Sequence, residues 1–131
     1  MRSPSTDNMF VNWNIILLAA VILAVLLALK RLGLISRRAA RQHLQNGAAV
    51  VDVRTSQEFQ SRHLPAAVNV PLNELHNLAP RHLPDKNQVL LLHCLSGTRS
   101  AMACRIFRQM GYTNVFNLGS YGRAHRIITT Q

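Results

Sequence analysis

Cys94 is the residue on which chemistry would turn. It closes the apolar run Val89-Leu90-Leu91-Leu92-His93 and opens the loop Leu95-Ser96-Gly97-Thr98-Arg99-Ser100. An apolar run of this length reads as a buried parallel strand. Gly97 supplies the freedom a tight loop needs, because only glycine takes positive φ without a steric penalty. Behind the loop, Ser100 to Met110 repeats apolar residues at helical period and stops at Gly111. Loop N–H groups that converge on one point, with the positive end of a helix behind them, form an anion cradle. A thiol placed there loses its proton more easily, which makes Cys94 a candidate nucleophile. A free cysteine at a strand end is more often an inert core residue. The loop, Gly97, Arg99 and the helix start together favour the nucleophile.

These residues must be positioned by alternating elements. Helices are expected over Ser36 to Asn46, from the capping box Thr55-Ser56-Gln57-Glu58 to Leu64, over Leu72 to Ala79, and after Cys94. Strands are expected over Ala49 to Val53, Ala67 to Val70, Val89 onward and Val115 to Leu118, with Pro80 and Pro84 framing a loop and a basic tail closing the chain. Strands alternating with helices predict an α/β domain built on a parallel sheet. Ligands of such sheets bind beyond the carboxyl ends of the strands, where Cys94, Asp52 and Arg54 fall.

The segment Cys94-Leu95-Ser96-Gly97-Thr98-Arg99-Ser100 resembles the active-site loop of the rhodanese (sulfurtransferase) family, Cys-x-x-Gly-x-Arg followed by a small residue. Val50-Val51-Asp52-Val53-Arg54 is similar to that family's Asp-x-Arg strand end. Glu58-Phe59, His63-Leu64-Pro65, Ala67-Val68-Asn69-Val70-Pro71, Gly111 to Val115 and Leu118-Gly119 follow in the family's order. Three positions depart: Arg62 and Ala66 stand where glycines are usual, and Ser120 replaces the second glycine of a Gly-Gly pair. The resemblance implies a rhodanese-like parallel sheet with helices on both faces. It also implies a persulfide mechanism. Cys94 takes sulfane sulfur from a small anionic donor such as thiosulfate and passes it to a thiol or cyanide acceptor, with Leu95, Ser96, Gly97, Thr98 and Arg99 as the substrate-binding loop. No cofactor or metal is expected. A phosphatase or arsenate reductase is the rival enzyme, but its cradle carries one more residue than the four between Cys94 and Arg99. A sulfur carrier or protein-binding module with little small-molecule turnover is the rival outside small-molecule enzymology, with a protein as sulfur acceptor.

Other residues carry open readings. Arg99 suits either an anionic donor or a carboxylate that holds the loop, and Asp52 is the expected carboxylate. Arg54 lines the pocket mouth or faces solvent. His93 neighbours Cys94 on a strand, so its side chain should point to the opposite face. Ser96 and Thr98 offer hydroxyls to an anion. Cys104 falls within the helix after the loop, where disulfide geometry opposes a bridge to Cys94.

The 131 residues carry 15 Lys and Arg against 5 Asp and Glu, a net charge of +10. Such a balance fits nucleic acid, acidic lipid or an anionic substrate. Aromatic residues make up only 5% of the chain, and no basic-aromatic motif appears, so no nucleic acid is expected. The membrane reading is preferred. Residues 1–9 are polar and read as disordered, and residues 10–29 are apolar apart from Asn12 and Asn14. Twenty helical residues span roughly 30 Å, the thickness of a bilayer's hydrocarbon core. Trp13 suits an interface, and Lys30, Arg31, Arg37, Arg38 and Arg41 suit the cytoplasmic side. A cleavable signal peptide and a buried core helix fit less well. The expected organisation is a transmembrane helix over 10–29, a basic linker over 30–35 and a rhodanese-like domain over 36–131. The expected location is the inner (plasma) membrane, single-pass, with the N-terminus outside and the domain in the cytoplasm, a reducing compartment that suits a free thiol.

Overall fold

The computed structural model describes residues 12–130. The expected disorder over 1–9 lies outside the described residues, as do Phe10 and Val11. The first helix, α1 (Trp13–Leu32), has 20 residues. It is the one helix among the described residues long and apolar enough to cross a membrane, and none of its apolar stretch is buried.

Four strands form one parallel sheet in the order β2-β1-β3-β4: β1 (Ala49–Asp52), β2 (Val68–Asn69), β3 (Leu90–Cys94) and β4 (Val115–Ser120). Helices cover both faces, as the α/β pattern requires. Leu90, Leu92 and Cys94 face one core, with Val51, Val53, Leu75, Ala79, Ala103, Cys104 and Phe107. It lies beneath α4 (Leu75–His82) and α5 (Thr98–Gln109). Leu91 faces the other core, with Ala40, Leu118, Tyr121, Ala124 and Ile127. That core lies under α2 (Arg37–Gln45) and α6 (Tyr121–Thr129). The short α3 (Ser56–Ser61) starts at the anticipated capping box: the Thr55 hydroxyl accepts from the Glu58 N–H and the Glu58 carboxylate from the Thr55 N–H.

Three expectations need correction. Pro80 does not open a loop, because α4 runs through it to His82. Leu75, Ala79 and Leu83 recur every four residues and are all buried, and this face outweighs the hydrogen bond that proline forgoes. The basic tail is a helix, α6. Ser120 caps it by accepting from the Arg123 N–H, and Tyr121, Ala124 and Ile127 bury one face. Between α1 and the sheet, α1 continues to Leu32, Leu34 pairs in parallel with Asn117, and the Ile35 N–H donates to the Asn117 carbonyl at 3.0 Å. The helix from the capping box ends at Ser61, earlier than Leu64.

Two departures from the family pattern find a physical account. Arg62 has extended backbone (φ −164°), so no glycine is needed there. Ala66 sits at φ 57°, a left-handed conformation that glycine would adopt without strain.

Candidate active site

Cys94 ends β3, and the chain turns at Gly97 (φ 97°) directly into α5. A Cβ on Gly97 would stand 3.4 Å from the Gly119 backbone, so the loop lies tight against β4 as well as left-handed. The Cys94 Sγ accepts from the Gly97 N–H at 3.0 Å, and the Ser100 hydroxyl lies 3.5 Å away. The side chain is fully buried. Burial alone would push the thiol up. The Ser100 hydroxyl, with the N–H groups of Ser100, Gly97 and Ser96, outweighs it and holds Cys94 below the usual thiol range. Cys104, in the same core without such donors, is pushed up by burial to about 11. Both cysteines are free and buried, and of the two only Cys94 has donors aimed at its sulfur.

Around this sulfur, Leu95 is 60% exposed at the loop's crest. Ser96 and Thr98 are exposed as well, their hydroxyls 3.5 Å apart. The Leu95 carbonyl accepts from the Tyr121 N–H at 3.2 Å, so α6 holds the loop in place.

Arg99 pairs with Glu58 and not with Asp52. Its two terminal nitrogens donate to the two Glu58 oxygens at 2.8 and 3.0 Å. The Arg99 bonds, with Thr55, hold the Glu58 carboxyl down at about 2. Asp52 is instead taken by Arg54, whose Nε and Nη2 clamp its carboxylate at 2.7 to 3.1 Å. Arg54 is 5% exposed and also donates to the Arg62 carbonyl, so it neither lines a pocket mouth nor faces solvent. Both guanidinium groups, of Arg54 and Arg62, lie over the Tyr121 ring at 4.7 and 4.4 Å. The Asp52–Arg54 pair thus braces the strand end behind the loop.

His93 points away from Cys94, as strand alternation requires. It packs edge-on against Tyr121, with Nε2 3.7 Å from the Asp52 carboxylate. Burial lowers its pKa despite the nearby carboxylate. Among the described residues no group of three or more metal-ligating side chains gathers.

Three contributors escaped the sequence reading of the site. Ser100 carried a signal, as a hydroxyl in the first turn of the helix behind the cysteine. Glu58 carried one too, since few carboxylates are available to Arg99. Asn117 carried none: it reads as an ordinary polar residue within a strand.

Known proteins agree with this architecture. A family model described as Rhodanese-like domain matches residues 36–122. Thiosulfate sulfurtransferase PspE of Escherichia coli is 38% identical over 69 residues, covering 53% of this chain and 66% of that protein. Putative sulfur carrier protein YrkF of Bacillus subtilis is 33% identical over 69 residues, covering 53% of this chain and 36% of that one. The chain thus spans less than two thirds of either relative. Among solved structures, a rhodanese with anions from E. coli shares 34% identity with a TM-score of 0.56, covering 59% of this chain and 91% of that one. The human single-domain sulfurtransferase TSTD1 shares 25% identity with a TM-score of 0.60, covering 76% and 98%. With its parallel sheet, its cysteine loop and a family match over most of its length, this chain belongs to the rhodanese-like family of sulfurtransferases and sulfur carriers.

Proposed function

We propose that the chain is a membrane-anchored sulfurtransferase that carries sulfane sulfur on Cys94. The Cys94 thiolate attacks the outer sulfur of a donor such as thiosulfate. The donor's S–S bond breaks and sulfite leaves with the electron pair. An acceptor thiolate, or cyanide, then attacks the outer sulfur of the Cys94 persulfide and releases the Cys94 thiolate. This is two-step covalent catalysis. The observation that carries the reading is the set of donors on Cys94 Sγ, led by the Gly97 N–H at 3.0 Å. These donors stabilise the thiolate as nucleophile in the first step and as leaving group in the second.

A second reading, a carrier fed by a protein persulfide, draws on a different observation. Arg99 is engaged at both terminal nitrogens by Glu58, so the loop offers no unpaired basic side chain to a dianion. The exposed Leu95 at the crest suits an apolar or protein-borne partner better. In both readings α1 spans the inner membrane with the N-terminus outside and the domain in the cytoplasm.

The test is to treat the purified full-length chain with thiosulfate and measure its intact mass. The parent should gain one sulfur atom, and the Cys94→Ser variant none. If the parent gains sulfur only from a protein or cysteine-derived persulfide, the carrier reading holds. If neither donor adds sulfur to the reduced, folded chain, the sulfur-transfer reading fails.

A further inference from the structure

The Cys94 loop leans on a residue that makes no hydrogen bond to the thiol itself. Asn117 lies in β4, 98% buried, beside an irregular register: Leu92 pairs with Asn117 but His93 with Gly119. That bulge re-aims the strand, as bulges beside active sites do. Every polar atom of the Asn117 side chain is engaged. Nδ2 donates to the Leu32 carbonyl at 2.7 Å and to the Gly97 carbonyl at 3.2 Å. Oδ1 accepts from the Gly119 N–H at 3.0 Å and from the Ser100 hydroxyl at 2.7 Å. Two carbonyls on one side and an N–H on the other fix which end of the amide is which.

Gly119 belongs to β4 itself, and the other three partners belong to two other parts of the molecule. Leu32 is the last residue of α1, and its carbonyl is one that a helix end leaves without an intrahelical partner. Gly97 and Ser100 belong to the cradle of Cys94. We propose that Asn117 is a positioning residue that ties the end of α1 to the loop holding Cys94, so that docking of α1 tunes the reactivity of that thiol. This rests on the reading of Cys94 as the sulfur-carrying group.

The Ser100 hydroxyl transmits the tie. It has one proton and three acceptors in reach: Asn117 Oδ1 at 2.7 Å, the Gly97 carbonyl at 3.0 Å and Cys94 Sγ at 3.5 Å. While Cys94 is a thiol, the shortest bond keeps the proton on Asn117. When Cys94 ionises, the hydroxyl swings to the sulfur, because a charged acceptor makes the stronger bond. Asn117 Oδ1 then still holds the Gly119 N–H, so the swing leaves no buried acceptor bare. The charged and titratable groups near Cys94 are Arg99 with its partner Glu58, and Asp52 with Arg54 and His93 behind β3. None of them bonds to Asn117, so its substitution leaves them in place.

The experiment follows iodoacetamide alkylation of Cys94 against pH in the full-length chain in detergent micelles, read peptide by peptide so that Cys104 is scored separately. Three proteins are compared: the parent, Asn117→Ala, and a variant with two glycines inserted between Leu32 and Gly33, which draws the Leu32 carbonyl away while Asn117 remains. Both variants weaken the hold of Asn117 on the Ser100 proton, so both should lower the alkylation midpoint by about one pH unit, speeding the reaction well below the midpoint about tenfold. An unchanged midpoint in the insertion variant overturns the tie to α1, whatever Asn117→Ala does. A lower melting temperature with an unchanged midpoint in both would make Asn117 a purely structural residue. Failure of the parent to gain sulfur from any donor would fail the sulfur-transfer reading alone, and the alkylation midpoints would still decide the role of Asn117.

Discussion

At the scale of single residues, the site is a contest between burial and hydrogen bonding for the charge on one sulfur. Burial opposes ionisation of Cys94, and donors from the loop and from Ser100 prevail. Ser100→Ala removes the side-chain donor. It should raise the midpoint of the pH–rate curve for sulfur uptake by about one unit, leaving the plateau at high pH nearly unchanged. A stopped-flow pH series would check this, and an unshifted curve would relieve Ser100 of the role. The Glu58–Arg99 pair yields a prediction about stability. Glu58 titrates at about 2, below its ordinary 4.5. Its contribution is therefore fully present above 4.5 and is lost as pH falls toward 2. The pair is about one third exposed, so the contribution is about 1 kcal/mol or less. Urea unfolding at pH 7 and at pH 3 should show the parent losing its advantage over Glu58→Gln at the lower pH. A constant difference would mean that the carboxylate's charge is not what matters.

Elements explain the departures from the family's pattern. Ser120, where a glycine is usual, is the cap of α6, and α6 in turn holds the Leu95 carbonyl. Arg62 needs only extended backbone. Ala66 is the one departure under strain, since its φ of 57° costs a residue with a Cβ about 1 kcal/mol. Ala66→Gly relieves that strain but gives the unfolded chain more freedom, which offsets part of the gain. The net expectation is a stabilisation of about 0.5 kcal/mol, read as a higher urea midpoint at unchanged slope. A lower midpoint would show that the turn is better served by alanine. The helical character of α6 was legible in part: Tyr121, Ala124 and Ile127 recur every third residue after a capping serine. Gly122 and the β-branched Ile127-Ile128-Thr129 argue against a helix locally, and burial against α2 and β4 overrides them.

At the scale of the whole molecule, the chain joins an apolar helix to a basic domain. The proposed topology places Lys30 and Arg37, Arg38 and Arg41 against the cytoplasmic leaflet. A reporter that works only in the cytoplasm, fused after Gln131, should be active. One that works only outside should be silent, and the reverse result would overturn the orientation. What the sequence determined alone is what short-range physics determines. A strand ending in cysteine, a glycine that permits a left-handed turn and a helix beginning at once behind it are legible because each lies within a few residues of the next. The capping box and the apolar span are legible for the same reason. Tertiary structure alone decided the partners. Arg99 found Glu58 across 41 positions of sequence, Asp52 closed on the nearby Arg54, and Asn117 reached Leu32 across 85. Among a handful of carboxylates and a score of polar side chains, which two meet is set by how sheet and helices pack. Hydrogen bonds act over about 3 Å, and no pattern along the chain records a distance that only folding creates.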